Sequence, residues 1–321
     1  MDESIEHFDF KVAMRDFVDA ITNKGESAFV KSNELVLGKK LGVGRDGEVF
    51  KSSWLGTDVA VKYFRYSESK SQFLSIQSSN VSASKSIAGT HAFSNEVAIM
   101  MGLRHPNILT LMGFGVEPPS HFIVMEYMPK GSLFELLGSD ENLPPKIKKE
   151  MAMGIANGLR FMHERNPTIL HSDIKSLNIL VDQDYTVKIS DFGISRELRK
   201  KYADMTDEDD SEDQVEKNQG TVQWLPPEAF APNAVPTKQT DIYGFGVILW
   251  EISTRRRPWK GLRKRVVAEE IVKGKRPGVL ESDQWPESLV KLVSLCWHQD
   301  PLKRPLFKSI SKSLDRITWN K

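Results

Sequence analysis

The stretch His171-Ser172-Asp173-Ile174-Lys175-Ser176-Leu177-Asn178-Ile179-Leu180 brings an acid, a base and an amide close together and then turns apolar, as a short strand would. A second apolar run, Thr186 to Ser190, leads directly into Asp191-Phe192-Gly193. Asp182-Gln183-Asp184-Tyr185 lies between the runs and has turn chemistry. A hairpin built this way carries Asn178 and Asp191 to the same end. An amide and a carboxylate facing one pocket suit a hard cation, which prefers oxygen ligands. Asp173 and Lys175 would face that pocket from the loop before the first strand.

The rest of the chain supplies the elements that must hold this constellation. Phe10, Ala13, Met14, Phe17, Val18 and Ile21 recur at helical spacing, which predicts an amphipathic helix ending near Asn23 to Gly25. It lies in an N-terminal extension over residues 1–33, and packing on the neighbouring domain and docking a regulatory partner both fit it. Glu34 to Lys62 reads as strands around Leu41-Gly42-Val43-Gly44-Arg45-Asp46-Gly47-Glu48-Val49-Phe50. A dinucleotide site with these glycines requires a helix after them. Here Glu48 to Lys51 continues as strand, so the glycines tip a hairpin. Residues 66–92 are serine-rich with little apolar periodicity and read as an insert. Phe93, Val97, Met100 and Met101 mark a helix that contains Glu96, and strands follow to Met128-Pro129.

From Lys130 onward the pattern is mainly helical. Met151, Ile155, Leu159 and Met162 share one helical face, Asp241 to Glu251 reads as a hydrophobic central helix, and Phe307, Ile310, Leu314 and Ile317 form a last face. The run Asp207-Glu208-Asp209-Asp210-Ser211-Glu212-Asp213 reads first as a solvated charge run, and second as a clamp against Arg255-Arg256-Arg257 or Arg263-Lys264-Arg265.

Bulk composition narrows the class. The 321 residues, with 44 Lys+Arg against 43 Asp+Glu, carry a net charge of +1, so nothing global points to nucleic acid or an anionic membrane. The one cysteine, Cys296, excludes an intramolecular disulfide and reads as a buried thiol. No run approaches the roughly 18 apolar residues of a membrane span. Met1-Asp2-Glu3 does not open a secretory signal, so a cytoplasmic or nuclear enzyme is expected.

In this order, from about Glu34 to Thr318, the motifs resemble the catalytic domain of eukaryotic-type protein kinases. The resemblance implies an α+β, bilobal protein kinase fold. A small N-lobe (residues 34–129) would be an antiparallel sheet plus one helix. A larger, mainly helical C-lobe (residues 130–321) would carry an acidic activation loop at 196–217. It implies ATP and Mg2+ or Mn2+ as cofactors, protein substrates, and Asp173 accepting the proton of the substrate hydroxyl. Lys175 would stabilise the transferring phosphoryl, Thr221 would join the catalytic set, and Asn178 and Asp191 would hold metal. Lys62 would reach phosphate, held by Glu96. Leu41, Gly42, Val43, Gly44, Gly47, Val49, Ala60, Met125 as gatekeeper, Glu126, Met128 and Leu180 would surround the nucleotide. His171 and Phe192 would stack in a packed spine. Glu228 would pair with Arg304, and Asp241 would brace the catalytic-loop backbone.

Ser172 departs from the pattern. Most relatives switched on by loop phosphorylation have arginine there to pair with the phosphate, so activity is expected to depend less on such phosphorylation. Lys175 and Thr221 resemble serine/threonine specificity, while Lys51-Ser52-Ser53-Trp54-Leu55-Gly56-Thr57-Asp58-Val59-Ala60-Val61-Lys62 and Leu295-Cys296-Trp297 resemble tyrosine kinases. The combination is similar to the tyrosine-kinase-like group, with Raf and mixed-lineage relatives. Dual specificity and a pseudokinase scaffold are the alternatives.

Overall fold

The sheet is built from strands whose inward faces are β-branched or aromatic, residues that pack well on a pleated surface. Strands β1 (Leu35–Val43), β2 (Gly47–Trp54), β3 (Thr57–Phe64), β4 (Leu111–Glu117) and β5 (Ser120–Glu126) pair antiparallel in the order β1-β2-β3-β5-β4. The computed structural model describes residues 28–44, 47–64, 93–117, 120–198, 222–278 and 284–319. The helix expected over residues 10–21, the insert at 66–92, Thr221 and the acidic run lie outside them.

The described residues divide into two units. One holds the chain up to Gly102 and Thr110–Tyr127; the other holds Leu103–Leu109 and the chain from Met128 on. In the first, Val30, Leu35, Val59, Val61, Phe122 and Val124 form a core cluster on the sheet. Helix α1 (residues 93–101) buries Phe93, Val97 and Met100. Phe93 meets Phe64 edge-on at 5.3 Å between ring centroids.

At its described end the N-terminal extension meets the sheet. Ala28 to Val30 lies along the β4 edge: the Val30 N–H donates to the Phe114 carbonyl at 2.9 Å, and the Phe114 N–H donates to the Ala28 carbonyl at 2.8 Å. Gly113 admits this close approach, since a Cβ there would stand 2.5 Å from Val30 Cγ2 and 2.9 Å from the Ala28 carbonyl oxygen.

In the second unit, Leu103–Leu109 joins the helical part rather than the sheet. The reason is backbone pairing: the Leu109 N–H donates to the Ile189 carbonyl at 2.9 Å, and the Ile189 N–H donates to the Asn107 carbonyl at 3.0 Å. Ser132 caps helix α2 (Leu133–Gly138) reciprocally with Glu135. Helix α3 (Pro145–His163) starts with proline at its first turn and buries Met151, Ile155, Leu159 and Met162. Three short strands follow, β6 (Thr168–Leu170), β7 (Ile179–Val181) and β8 (Val187–Ile189), of which β7 and β8 form a hairpin. Strand β9 (Arg196–Leu198) pairs with β6, so the first three residues of the expected activation loop are strand.

Helix α4 (Lys238–Thr254) is buried on every side from Thr240 to Ser253, which explains its apolar sequence all round. Helices α5 (Lys264–Val272), α6 (Glu287–Cys296) and α7 (Phe307–Arg316) complete the unit, with α6 packed on α4 and α7 on α3. Cys296 is buried, and its surroundings push the thiol pKa up, as an inert structural thiol requires. Among the described residues no helix is long and apolar enough to cross a membrane.

Candidate functional site

The sequence-predicted residues fall into two sets, one in each unit. In the sheet unit, Lys62 on β3 points its Nζ at Glu96 of α1, 2.7 Å from Oε2 and 3.1 Å from Oε1. Both side chains are buried, so the pair is desolvated and depends on its two-point geometry. Antiparallel register sets Val49 opposite Lys62, Ala60 opposite Met125 and Gly42 opposite Val49. The Gly44 N–H donates to the Gly47 carbonyl at 2.8 Å and closes the β1–β2 turn. Leu41 and Val43 are exposed on β1, and Glu126 ends β5, its carboxylate accepting from the Thr110 N–H at 2.7 Å.

In the helical unit the hairpin reads as the sequence implied. Ile179 pairs with Ile189, Leu180 with Lys188 and Val181 with Val187. The Ser190 N–H and Oγ both donate to the Asn178 carbonyl, at 2.9 and 3.0 Å. Asn178 and Asp191 are thereby carried to one end of the hairpin. Asp191 has φ of +64°, a left-handed backbone that few non-glycine residues adopt. Such strain persists where surrounding structure holds it, and it clusters at functional sites. Met128 precedes the tight turn that Gly131 closes at φ +69°, and Lys130 and Gly131 pair with Val181, one residue beyond Leu180.

Asp173 is the centre of this set. Lys175 Nζ stands 2.5 Å from its Oδ2, and the Asn178 amide nitrogen donates to its carbonyl at 2.9 Å and to its Oδ2 at 3.2 Å. With its amide nitrogen turned to Asp173, Asn178 has its Oδ1 left to accept.

The loop is held from below by Asp241 of α4. Its Oδ2 accepts from the His171 N–H at 3.0 Å and bonds His163 Nε2 at 2.8 Å; its Oδ1 accepts from the Ser172 N–H at 2.8 Å. Burial alone would raise the Asp241 pKa, but the bonds to His163 and His171 outweigh it and hold the carboxyl below the usual range. Gly244 on the same helix lets Ile174 approach, since a Cβ there would stand 2.6 Å from the Ile174 carbonyl oxygen. Ser172, with φ of +69°, takes its place in the loop through backbone rather than side chain; its Oγ is buried without a hydrogen bond among the described residues. The His171 and Phe192 rings lie 5.4 Å apart. Below the site, Arg304 grips Glu228 through two bonds, at 2.5 and 2.8 Å, with the guanidinium fully buried and the carboxylate side chain 32 % exposed.

Two contributors carried no sequence signal of their own. Ser176 Oγ and Trp224 Nε1 both meet the buried carboxyl of Glu251 on α4. Glu251 closes an apolar run, and only its polarity within that run could have marked it.

The residues fit a divalent cation. Among the described residues no group of three or more His, Cys, Asp or Glu stands ready to cage one. Two protein oxygens, from Asn178 and Asp191, match a cation that takes most of its shell from phosphate and water.

Comparison with known proteins agrees with this geometry. The family described as protein tyrosine and serine/threonine kinase matches residues 35–314. A putative serine/threonine-protein kinase/receptor of Acanthamoeba polyphaga mimivirus is 36% identical over 294 residues, covering 89% of this chain and 16% of that protein. The serine/threonine-protein kinase CTR1 of Arabidopsis thaliana is 35% identical over 281 residues, covering 86% of this chain and 31% of that protein. The probable serine/threonine-protein kinase drkC of Dictyostelium discoideum is 35% identical over 288 residues, covering 89% and 35%. The chain spans about a third or less of the length of these relatives.

Proposed function

This chain belongs to the protein tyrosine and serine/threonine kinase family, and we propose that it transfers the γ-phosphoryl group of ATP to serine or threonine hydroxyls of protein substrates. One observation carries the reading: Asp173, Lys175 and Asn178 form a single hydrogen-bonded cluster, braced by Asp241 and joined through the β7–β8 hairpin to Asp191.

The roles follow from chemistry. Phosphoryl transfer is mostly positioning and charge neutralisation. Asp173 Oδ2 would take the proton of the acceptor hydroxyl, oriented by the amide of Asn178. Lys175, already at that carboxylate, would move its charge onto the transferring phosphoryl oxygens. Lys62 would bind the donor phosphates as a point charge while Glu96 fixes its direction. Asn178 Oδ1 and the Asp191 carboxylate would hold Mg2+, which when bound neutralises charge on the phosphates. Gly42 and Gly44 support a phosphate-cradling turn from another side. Among the described residues a Cβ at Gly42 would meet nothing within 4 Å, and one at Gly44 only the Gly47 carbonyl oxygen at 3.8 Å. Packing among the described residues therefore does not demand glycine at either place, whereas close approach of a ligand to the backbone would. Lys175 supports serine/threonine over tyrosine acceptors.

The test is phosphate transfer from labelled ATP with Mg2+, to the chain itself and to a generic basic protein, followed by phosphoamino-acid analysis. Label on serine or threonine that disappears in Asp191→Asn is the expected result. A folded chain that binds ATP and transfers nothing, alone or with Mn2+, overturns the reading.

A further inference from the structure

Two basic stretches follow helix α4, and the fold engages them differently. Arg255 directs its guanidinium at the carbonyls of Leu136, Leu137, Ser139 and Glu141, which closes the C-terminal end of α2. Arg257 lies over the Phe134 ring of the same helix, 4.7 Å from its centroid. Arg263, Lys264 and Arg265 begin helix α5 instead, and all three are exposed. Among the described residues no carboxylate pairs with Lys260, Arg263 or Lys264. Arg265 pairs with Glu269, one turn along α5, at 3.2 Å, with the two side chains 90% and 51% exposed, and such a pair contributes little.

Arg265 and Lys273 also line an open groove of about 570 Å³, together with Phe230, Ala268, Glu269 and Val272. Phe230, Ala268 and Val272 make much of that lining apolar. Leu262 and Val266, just before and along α5, are exposed large apolar side chains, as is Val272. Exposed apolar surface bordered by polar groups marks a place where another polypeptide docks. With cations on that border, it suits a peptide that carries both acids and apolar side chains, rather than the phosphate backbone of a nucleic acid.

The chain itself contains such a peptide. Asp207-Glu208-Asp209-Asp210-Ser211-Glu212-Asp213 has six acids in seven residues and no cation, with Met205 before it and Val215 after it. The run lies outside the described residues, but the place where the chain is next described does not. That place is the turn Val222–Trp224, which packs on α5, as does the turn Pro227–Phe230. Asp213 is nine residues before Val222. At about 3.3 Å per residue those nine reach about 30 Å. Helix α5 has nine residues and is about 14 Å long, so its whole basic surface is within reach. A short tether also sets an effective concentration of about 1 mM or more, which favours this run over a free acidic peptide.

We propose that the surface formed by Arg263, Lys264, Arg265 and Lys273 is a docking site for the chain's own acidic run, Asp207 to Asp213, bound within the same molecule. Charge, apolar match and chain reach support it, and it does not rest on the kinase reading. Arg255 and Arg257 are engaged with α2, which leaves the second basic stretch as the partner.

Carbodiimide coupling tests this, because it joins a carboxylate to an amine only where the two touch. The intact chain is treated as a mixture of 14N and 15N copies, and the links are mapped by mass spectrometry. Links within one copy, from the run to Lys264 or Lys273, are the expected result. Arg263→Glu/Arg265→Glu keeps both amines, and acids at a helix start suit its dipole, so an unchanged unfolding midpoint is expected. An exposed ion pair changes an equilibrium by up to about fivefold, so reversing two charges should lower the link yield about tenfold. Adding 1 M NaCl, where charges are screened within about 3 Å, should do the same. Arg256→Glu, in the other stretch, should leave the yield within about twofold. A fluorophore on Ser211→Cys gives a second readout, since the native Cys296 is buried. Its anisotropy should fall in the Arg263→Glu/Arg265→Glu background.

Yield and anisotropy that the double reversal leaves unchanged overturn the proposal, as do links from the run only to lysines elsewhere. Links only between 14N and 15N copies overturn it in favour of a contact between molecules. No links and a low anisotropy in the wild type overturn it in favour of a separate acidic protein in the groove. None of these readouts involves phosphate transfer, so a failure of the kinase reading is seen separately.

Discussion

Gly113→Ala should have opposite effects on stability in two versions of the chain. In the intact chain the new methyl group would stand 2.5 Å from Val30 Cγ2 and 2.9 Å from the Ala28 carbonyl oxygen, its two nearest neighbours. Carbon atoms rest at about 3.5–4.0 Å, so the Ala28–Val30 strap must move. Val30 is 1 % exposed and belongs to the sheet core, which leaves it little room to move. Adding a methyl group to a well-packed site costs about 1–3 kcal/mol. In a chain beginning at residue 31 these nearest obstacles are gone. There the same substitution acts through the unfolded chain and stabilises by about 0.4–1 kcal/mol. The assay is denaturant unfolding of all four proteins, comparing midpoints at equal m-value. The expected result is a lower midpoint for Gly113→Ala in the intact chain and a higher one in the shortened chain. Equal destabilisation in both would refute the inference that residues 28–30 dock on β4.

Two further outcomes follow from buried carboxyls. The folded pKa of Glu251, about 8, lies above its ordinary 4.5, so folding takes up a proton between those values. Stability from this group is therefore fully present below about pH 4.5 and falls as pH rises through 8, by up to about 5 kcal/mol for such a shift. Glu251→Gln should flatten that part of a stability–pH profile, and an unchanged slope would count against the raised pKa. Asp241 presents two oxygens to three donors, from His163, His171 and Ser172. Asn at that place turns an NH2 toward at least one of them and should displace the loop bearing Asp173. Kinetics should show kcat reduced by about 100-fold, as for a displacement of about 1 Å, and a variant with wild-type kcat would mean that the brace is dispensable.

The sequence by itself determined the residues of the hydrogen-bonded cluster proposed as the catalytic site and the hairpin beside it. Those signals are local: Asp173, Lys175 and Asn178 are neighbours in the chain, and the β7 and β8 runs pair across a four-residue turn. Periodicity likewise marked α3 and α7, because a buried stripe repeats along a helix, while α4 showed as an apolar run buried on every side. The pairing of Lys62 with Glu96 and of Glu228 with Arg304 was legible only through family resemblance, since no local pattern links residues so far apart.

Only the tertiary structure decided three things. It drew Leu103–Leu109 to the helical unit, through backbone bonds to Ile189 that no side-chain pattern records. It laid Ala28–Val30 along β4, where the visible sign is a glycine made necessary by a segment 83 residues away, from Val30 to Gly113. It set Glu251 between Ser176 and Trp224, which are 75 and 27 residues from it along the chain. A sequence records which face of an element avoids water, because burial acts on each residue singly. Which buried polar groups then meet depends on how whole elements pack, and that is settled only when the chain has folded.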